Sequence, residues 1–145
     1  MFRSKFLILF KFAKLSFLCI LISGCQEMES QRLERKCANN FAFRNIKKTL
    51  EYCNKAILID PLNPHNYNNR AVQKHDLFDF YGAIQDSTKA IELRVKDPLD
   101  LAEHYYGRGL HKQAIQDLIG ACSDWEKAYQ LRHRDAKIDF KEYCN

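Results

Sequence analysis

Six cysteines and five histidines are the side chains of this 145-residue chain with the most chemistry to offer, as nucleophiles, redox pairs or metal ligands. Their spacing narrows the choice. Cys19, Cys25, Cys37, Cys53, Cys122 and Cys144 include no C-x-x-C pair, so no zinc-site spacing is present and no metal is expected. His65, His75, His104, His111 and His133 stand in polar or helical stretches, none of them beside a candidate nucleophile. His104 and His111 are seven residues apart and could share one helical face, but no third ligand is spaced to join them, so a surface or groove lining is the simpler expectation. Gly107-Arg108-Gly109 holds a lone G-x-G inside a helical stretch, where it reads as packing glycine and not as a phosphate cradle after a strand. Asp76 with Asp79, and Asp97 with Asp100, flank expected helix ends, where capping of free N–H groups explains them better than paired acid and base catalysis. No convergent catalytic set is visible, and no cofactor or small-molecule substrate is expected.

The elements that must carry these residues are helices. The chain is 46% hydrophobic and 28% charged, enough for one domain with a core, and its five Gly and three Pro argue against disordered, collagen-like and turn-rich all-β classes. From Ser30 onward the pattern is one of short amphipathic helices, and three apolar segments share one phase: Leu50 to Ile57, Ala83 to Ile91 and Ala121 to Ala128. Aligning Ala56, Ala90 and Ala128 gives spacings of 34 and 38 residues, the longer explained by an insertion around Arg94 to Pro98. The formal charge of +5 does not mark a nucleic-acid surface. Arg3, Lys5, Lys11 and Lys14 are four of the 23 basic residues, and without them 19 stand against 18 acidic ones.

The 34-residue unit resembles the tetratricopeptide repeat (TPR), two antiparallel helices with small residues at repeat positions 8, 20 and 27. Those positions are Cys37, Thr49 and Ala56, then Ala71, Ala83 and Ala90, then Gly109, Ala121 and Ala128. The large position 4 is Leu33, Tyr67 and Tyr105, and position 24 is Cys53, Ser87 and Trp125. The resemblance implies an all-α, right-handed helical-hairpin solenoid over 30–145, with repeats at about 30–63, 64–101 and 102–135 and a capping helix at 136–145. The stretch Gly120 to Leu131 is similar to a last repeat common in bacterial members. Asp79 and Asp117 fall at the start of the second helix of their units, as caps. Two positions depart from the pattern and are expected to weaken the packing: position 11 is Asn40, Lys74 and Lys112, and position 7 is Lys36, Arg70 and Arg108.

The N-terminal segment reads as a signal, with a basic and aromatic start, an apolar run from Leu15 to Ile22, and small residues before Cys25. Leu21-Ile22-Ser23-Gly24-Cys25 resembles the lipobox of bacterial lipoproteins, which implies a signal peptide at 1–24, lipidation of Cys25 and a tether at 25–29. The alternative is an uncleaved anchor over Phe6 to Ile22, interrupted by Lys11 and Lys14. The resemblance places the chain in the cell envelope, lipid-anchored and facing the periplasm, and Gln26 after the lipid site favours the outer membrane.

In an exported chain, four remaining cysteines suggest disulfides with three possible connectivities. The TPR resemblance favours the local pairs Cys37 with Cys53 and Cys122 with Cys144; buried free thiols are the alternative. It also implies a concave groove lined by the first helix of each unit, here including Phe41, Asn68, Val72, His75, Tyr106, Leu110 and Gln113. Chaperone-binding members hold a C-terminal carboxylate with Lys and Asn at positions 5 and 9 of the first unit, and Glu34 and Ala38 occupy these, so that clamp is absent. The expected function is a lipid-anchored scaffold or adaptor that binds a protein or peptide in the groove. The alternatives are an enzyme or enzyme subunit on a repeat scaffold and a structural lipoprotein without a specific ligand.

Overall fold

Short polar caps divide the chain into helices. Asn45, Asn63, Asp79, Asp97, Asp117 and His133 each accept a hydrogen bond from a backbone N–H in the first turn that follows, at 2.8–3.2 Å, satisfying donors that the helix leaves free. Pro64 and Pro98 stand at the first helical position, where the missing N–H costs nothing. The computed structural model describes residues 24–38, 45–93 and 95–144. Among these residues there are seven helices and no strand: α1 (24–38), α2 (Ile46–Ile59), α3 (Pro64–Asp76), α4 (Phe80–Glu92), α5 (Pro98–Ala114), α6 (Leu118–Gln130) and α7 (Arg134–Tyr143). None of them is long and apolar enough to cross a membrane. Residues 25–29, expected as a tether, are helical and belong to α1.

Consecutive helices pack on each other, giving the hairpins α3/α4 and α5/α6, with α7 closing the stack, while the Cys37–Cys53 bridge joins α1 to α2. Small residues set the close approach. Cys37, Ala56, Ala71, Ala83, Ala90, Ala121 and Ala128 are fully buried, so backbones meet where larger side chains would hold them apart. Gly109 does the same against Trp125, whose Nε1 lies 2.4 Å from where a Cβ on Gly109 would be. The last face of the stack is covered by α7, which buries Ala136 against Ala121, Trp125 and Ala128.

Two sequence expectations need correction. The four extra residues, expected as an insertion around Arg94 to Pro98, lie inside α5. Pro98 follows Ala90 by eight residues, as Pro64 follows Ala56, and the excess lengthens α5 to 17 residues against 13 in α3. An insertion of four is close to one helical turn of 3.6, so the buried face keeps its phase.

The second correction concerns the basic residues at positions 7 and 11, which do not weaken the packing. Arg70 and Lys74 both grip the buried Asp86 of α4, at 2.7 and 2.8 Å, and Arg108 and Lys112 both grip the buried Asp124 of α6, each at 2.7 Å. Each Arg also reaches back one repeat: Arg70 Nη1 donates to Asn54 Oδ1 at 2.9 Å and Arg108 Nη1 to Thr88 Oγ1 at 3.1 Å. Asn54 and Thr88 hold the same repeat position. The first unit has Tyr52 where the others have Asp, and Lys36 Nζ sits 4.9 Å from the centre of that ring.

Candidate functional site

Helices α3 and α5 touch each other directly and form the floor of the concave face. Gly107 of α5 lies beside Asn68 of α3, whose Oδ1 would meet a Cβ there at an ordinary contact distance of 3.8 Å. Beside this point Val72 is exposed, while Asn68 and Gln113 are half-buried. Phe41, expected as an anchor, lies outside the described residues. Tyr106 and Leu110, also half-buried, pack against the cluster that α7 closes, with Tyr106 stacked on His133 at 4.3 Å between ring centres. Burial first, and then a hydrogen bond to Asp139 of α7, raise the pKa of the Tyr106 hydroxyl and keep it protonated.

The histidines assemble across the repeats. His75 Nδ1 and His111 Nδ1 are 2.8 Å apart, so one ring donates to the other. His111 is buried, and its Nε2 has no protein partner, so the cheaper arrangement puts the His111 proton on Nδ1 and leaves an acceptor unpaired in place of a donor. One turn-pair away, His65 meets the buried His104 edge-on at 5.7 Å between ring centres, and His65 Nε2 lies 3.5 Å from Asp100. Burial pushes the imidazoles of His104 and His111 down to about 4, helped by His65 and His75 respectively. Both rings are therefore neutral at pH 7. The fifth histidine, His133, bonds Glu103 at 2.9 Å while capping α7. The seven-residue spacing suggests His104 and His111 as a surface or groove lining, but both are buried and each meets a ring of α3, His65 and His75 respectively. The available signal was repeat spacing: His75 to His111 is 36 residues and His65 to His104 is 39, each about one unit.

At the first unit, Glu34 accepts a hydrogen bond from Asn63 Nδ2 at 3.1 Å and Ala38 is exposed. Cys37 is bridged to Cys53 with Cα atoms 4.8 Å apart, and Cys122 to Cys144 with Cα atoms 5.7 Å apart. Cys25 is exposed and lies outside both bridges. Among the described residues no group of three or more His, Cys, Asp or Glu is arranged to hold a metal ion.

No family model matches the chain. Solved structures do. The first TPR domain of Spaghetti (RPAP3), bound to the HSP90 peptide SRMEEVD, superposes with a TM-score of 0.71 at 24% identity, over 80% of this chain and 90% of that one. The N-terminal domain of stress-induced protein-1 from C. elegans gives 0.72 at 22% identity, over 83% and 98%. The Arabidopsis OM64 TPR domain gives 0.72 at 23%, over 81% and 96%. The chain has the TPR fold. In TPR terms, α3 and α5 are the first helices of the second and third repeats, and the face they share with α1 is the concave groove. The α7 helix packs over the third repeat and covers groove positions there.

Proposed function

We propose that this chain is a lipid-anchored TPR adaptor of the cell envelope, tethered at Cys25 and holding an extended protein segment in its concave groove. The observation that carries the binding reading is the floor between α3 and α5. There, Val72 is exposed, and Asn68 and Gln113 offer amide donors and acceptors. The neighbour bound to SRMEEVD supports the same use of the fold. The ligand differs in chemistry, because Glu34 puts a negative charge where a carboxylate clamp would need a positive one, and the rings of His104 and His111 are neutral at pH 7. An uncharged or basic extended segment, bound by amide hydrogen bonds, fits this floor. The anchoring reading rests on the lipobox-like run and on an exposed Cys25 outside both disulfides.

A photo-crosslinking amino acid placed at Val72 in the envelope-resident protein tests the groove. A discrete adduct is expected from Val72 and not from Ile119 on the outer turn, and a peptide from the captured segment binds the purified chain but not its Asn68→Ala, Gln113→Ala variant. Equal labelling from both positions removes the groove reading. Intact mass of the membrane-extracted protein tests the anchor: a chain starting at an acylated Cys25 is expected, and a Cys25→Ser variant that is processed and retained as before overturns it.

A further inference from the structure

The helix ends sort onto two edges of the stack. Connections of three to five residues make neighbouring helices from α2 to α7 antiparallel, so the starts of α3, α5 and α7 share an edge with the ends of α2, α4 and α6. Gln26, Glu27 and Ser30 of α1 line one pocket with Ile59 and Asp60, which places the head of α1 beside the end of α2. In repeat register α3 begins at the first position of its unit. By contrast, α5 begins four residues before the equivalent Ala102, and α1 is helical from residue 24, six before the equivalent Ser30. Both helices therefore overhang the edge, by roughly 6 and 9 Å at 1.5 Å per residue.

The overhangs and the turn between them are apolar and open. Met28 on α1 is 64% exposed and Leu99 on α5 is 63%, and between them Leu58 and Leu62 are 83% and 74% exposed. Exposure alone does not choose this edge, because Phe78, Tyr81 and Ile119 are as open on the opposite one. The anchor chooses it. Lipid at Cys25 and an uncleaved span ending at Ile22 both put the bilayer at the head of α1, and the chain is already helical there, with no tether to let the domain swing free. The opposite edge then stands about 20 Å away, the length of α1.

Resting on the anchoring reading above, we propose that the edge bearing Met28, Leu58, Leu62 and Leu99 beds into the surface of the bilayer that holds the anchor, so that the helices stand on the membrane and the groove runs parallel to it. Charge is not the driving force. Exposed Lys96, Arg132 and Arg134 on this edge are outnumbered by Glu27, Asp60, Asp97, Asp100 and Asp135, so contact depends on inserted apolar side chains and not on anionic lipid.

The test uses full-length lipidated protein in vesicles of phosphatidylethanolamine and phosphatidylglycerol with brominated acyl chains, comparing Leu62→Trp, Leu99→Trp and Ile119→Trp. The native Trp125 is fully buried and supplies a constant background. Variants whose circular dichroism melts match the parent are used. About half of the introduced emission is expected to be lost at 62 and 99, with none lost at 119, and the same in phosphatidylcholine vesicles. Protein that floats with the vesicles while Leu62→Trp and Leu99→Trp stay bright overturns the orientation alone. So does quenching at 119 equal to that at 62, or a blue-shifted, unquenched Leu62→Trp in a crosslinked dimer. Protein that does not float removes the anchoring reading, and this one with it.

Discussion

Asp124 shows how much of this structure rests on single side chains. It is buried, and two cations share its two oxygens, so Asp124→Ala leaves Arg108 and Lys112 facing each other without a counter-charge. Breaking a buried pair from one side costs roughly 3–5 kcal/mol, a large part of the stability of a domain this size. Urea denaturation of Asp124→Ala should show that loss, while replacing Arg108, Lys112 and Asp124 together by apolar residues of like volume should recover most of it. The bases were legible in the sequence as departures from the repeat pattern. Their partner was not, because Asp124 lies 16 residues from Arg108 on another helix, and the repeat pattern assigns no carboxylate there. The histidines carry a pH dependence of their own. His104 and His111 stay neutral to about pH 4 in the folded chain, whereas unfolded histidine takes up its proton near pH 6.5. Between those values the unfolded state binds more protons, so stability should be full above about pH 7 and fall as pH drops from about 6.5 toward 4. Urea midpoints at pH 7.5 and 5.5 measure this, and His104→Gln with His111→Gln should flatten the difference.

Among the elements, the turns carry the clearest strain. Phe78, Gln116 and Arg132 have φ of 63, 65 and 70°, the left-handed conformation that closes α3, α5 and α6. The closure itself is well made, with Asp79 N bonded to Lys74 O at 2.9 Å and Phe78 N to His75 O at 2.8 Å, repeated at 116–117 and 132–133. A side chain in that conformation costs about 1–2 kcal/mol, part of which glycine would return as entropy of the unfolded chain. Phe78→Gly is therefore expected to stabilise by about 0.5–1 kcal/mol, seen as a raised melting temperature, and removes an exposed aromatic ring from the outer edge. Helix number, phase and the capping aspartates were all legible, because a 34-residue period fixes them together. The extra turn of α5 was not. A spacing of 38 says that four residues were added, and the expected place around Arg94 to Pro98 stops at the first residue of the helix that in fact takes them up.

At the scale of the whole molecule, the groove was legible as a set of helix faces but not as a surface. The burial of Tyr106 and Leu110 depends on α7, whose packing against the third unit follows from no local pattern in α5. The two disulfides add a consequence for the order in which the stack comes apart. A linear array ordinarily melts inward from its ends, since a terminal unit has a neighbour on one side only. Here Cys37–Cys53 closes the first hairpin and Cys122–Cys144 closes the last onto its cap, and the middle hairpin, α3 with α4, has no covalent closure. Bolted at both ends, the molecule opens first at its centre. Native-state hydrogen exchange should show α3 and α4 exchanging before α6 and α7, and that order should invert in a Cys122→Ser, Cys144→Ser chain, whose last hairpin loses about 2–4 kcal/mol. Helix α3, which shares the floor of the groove with α5, is then also free to loosen, so a bound segment acts as the missing third bolt.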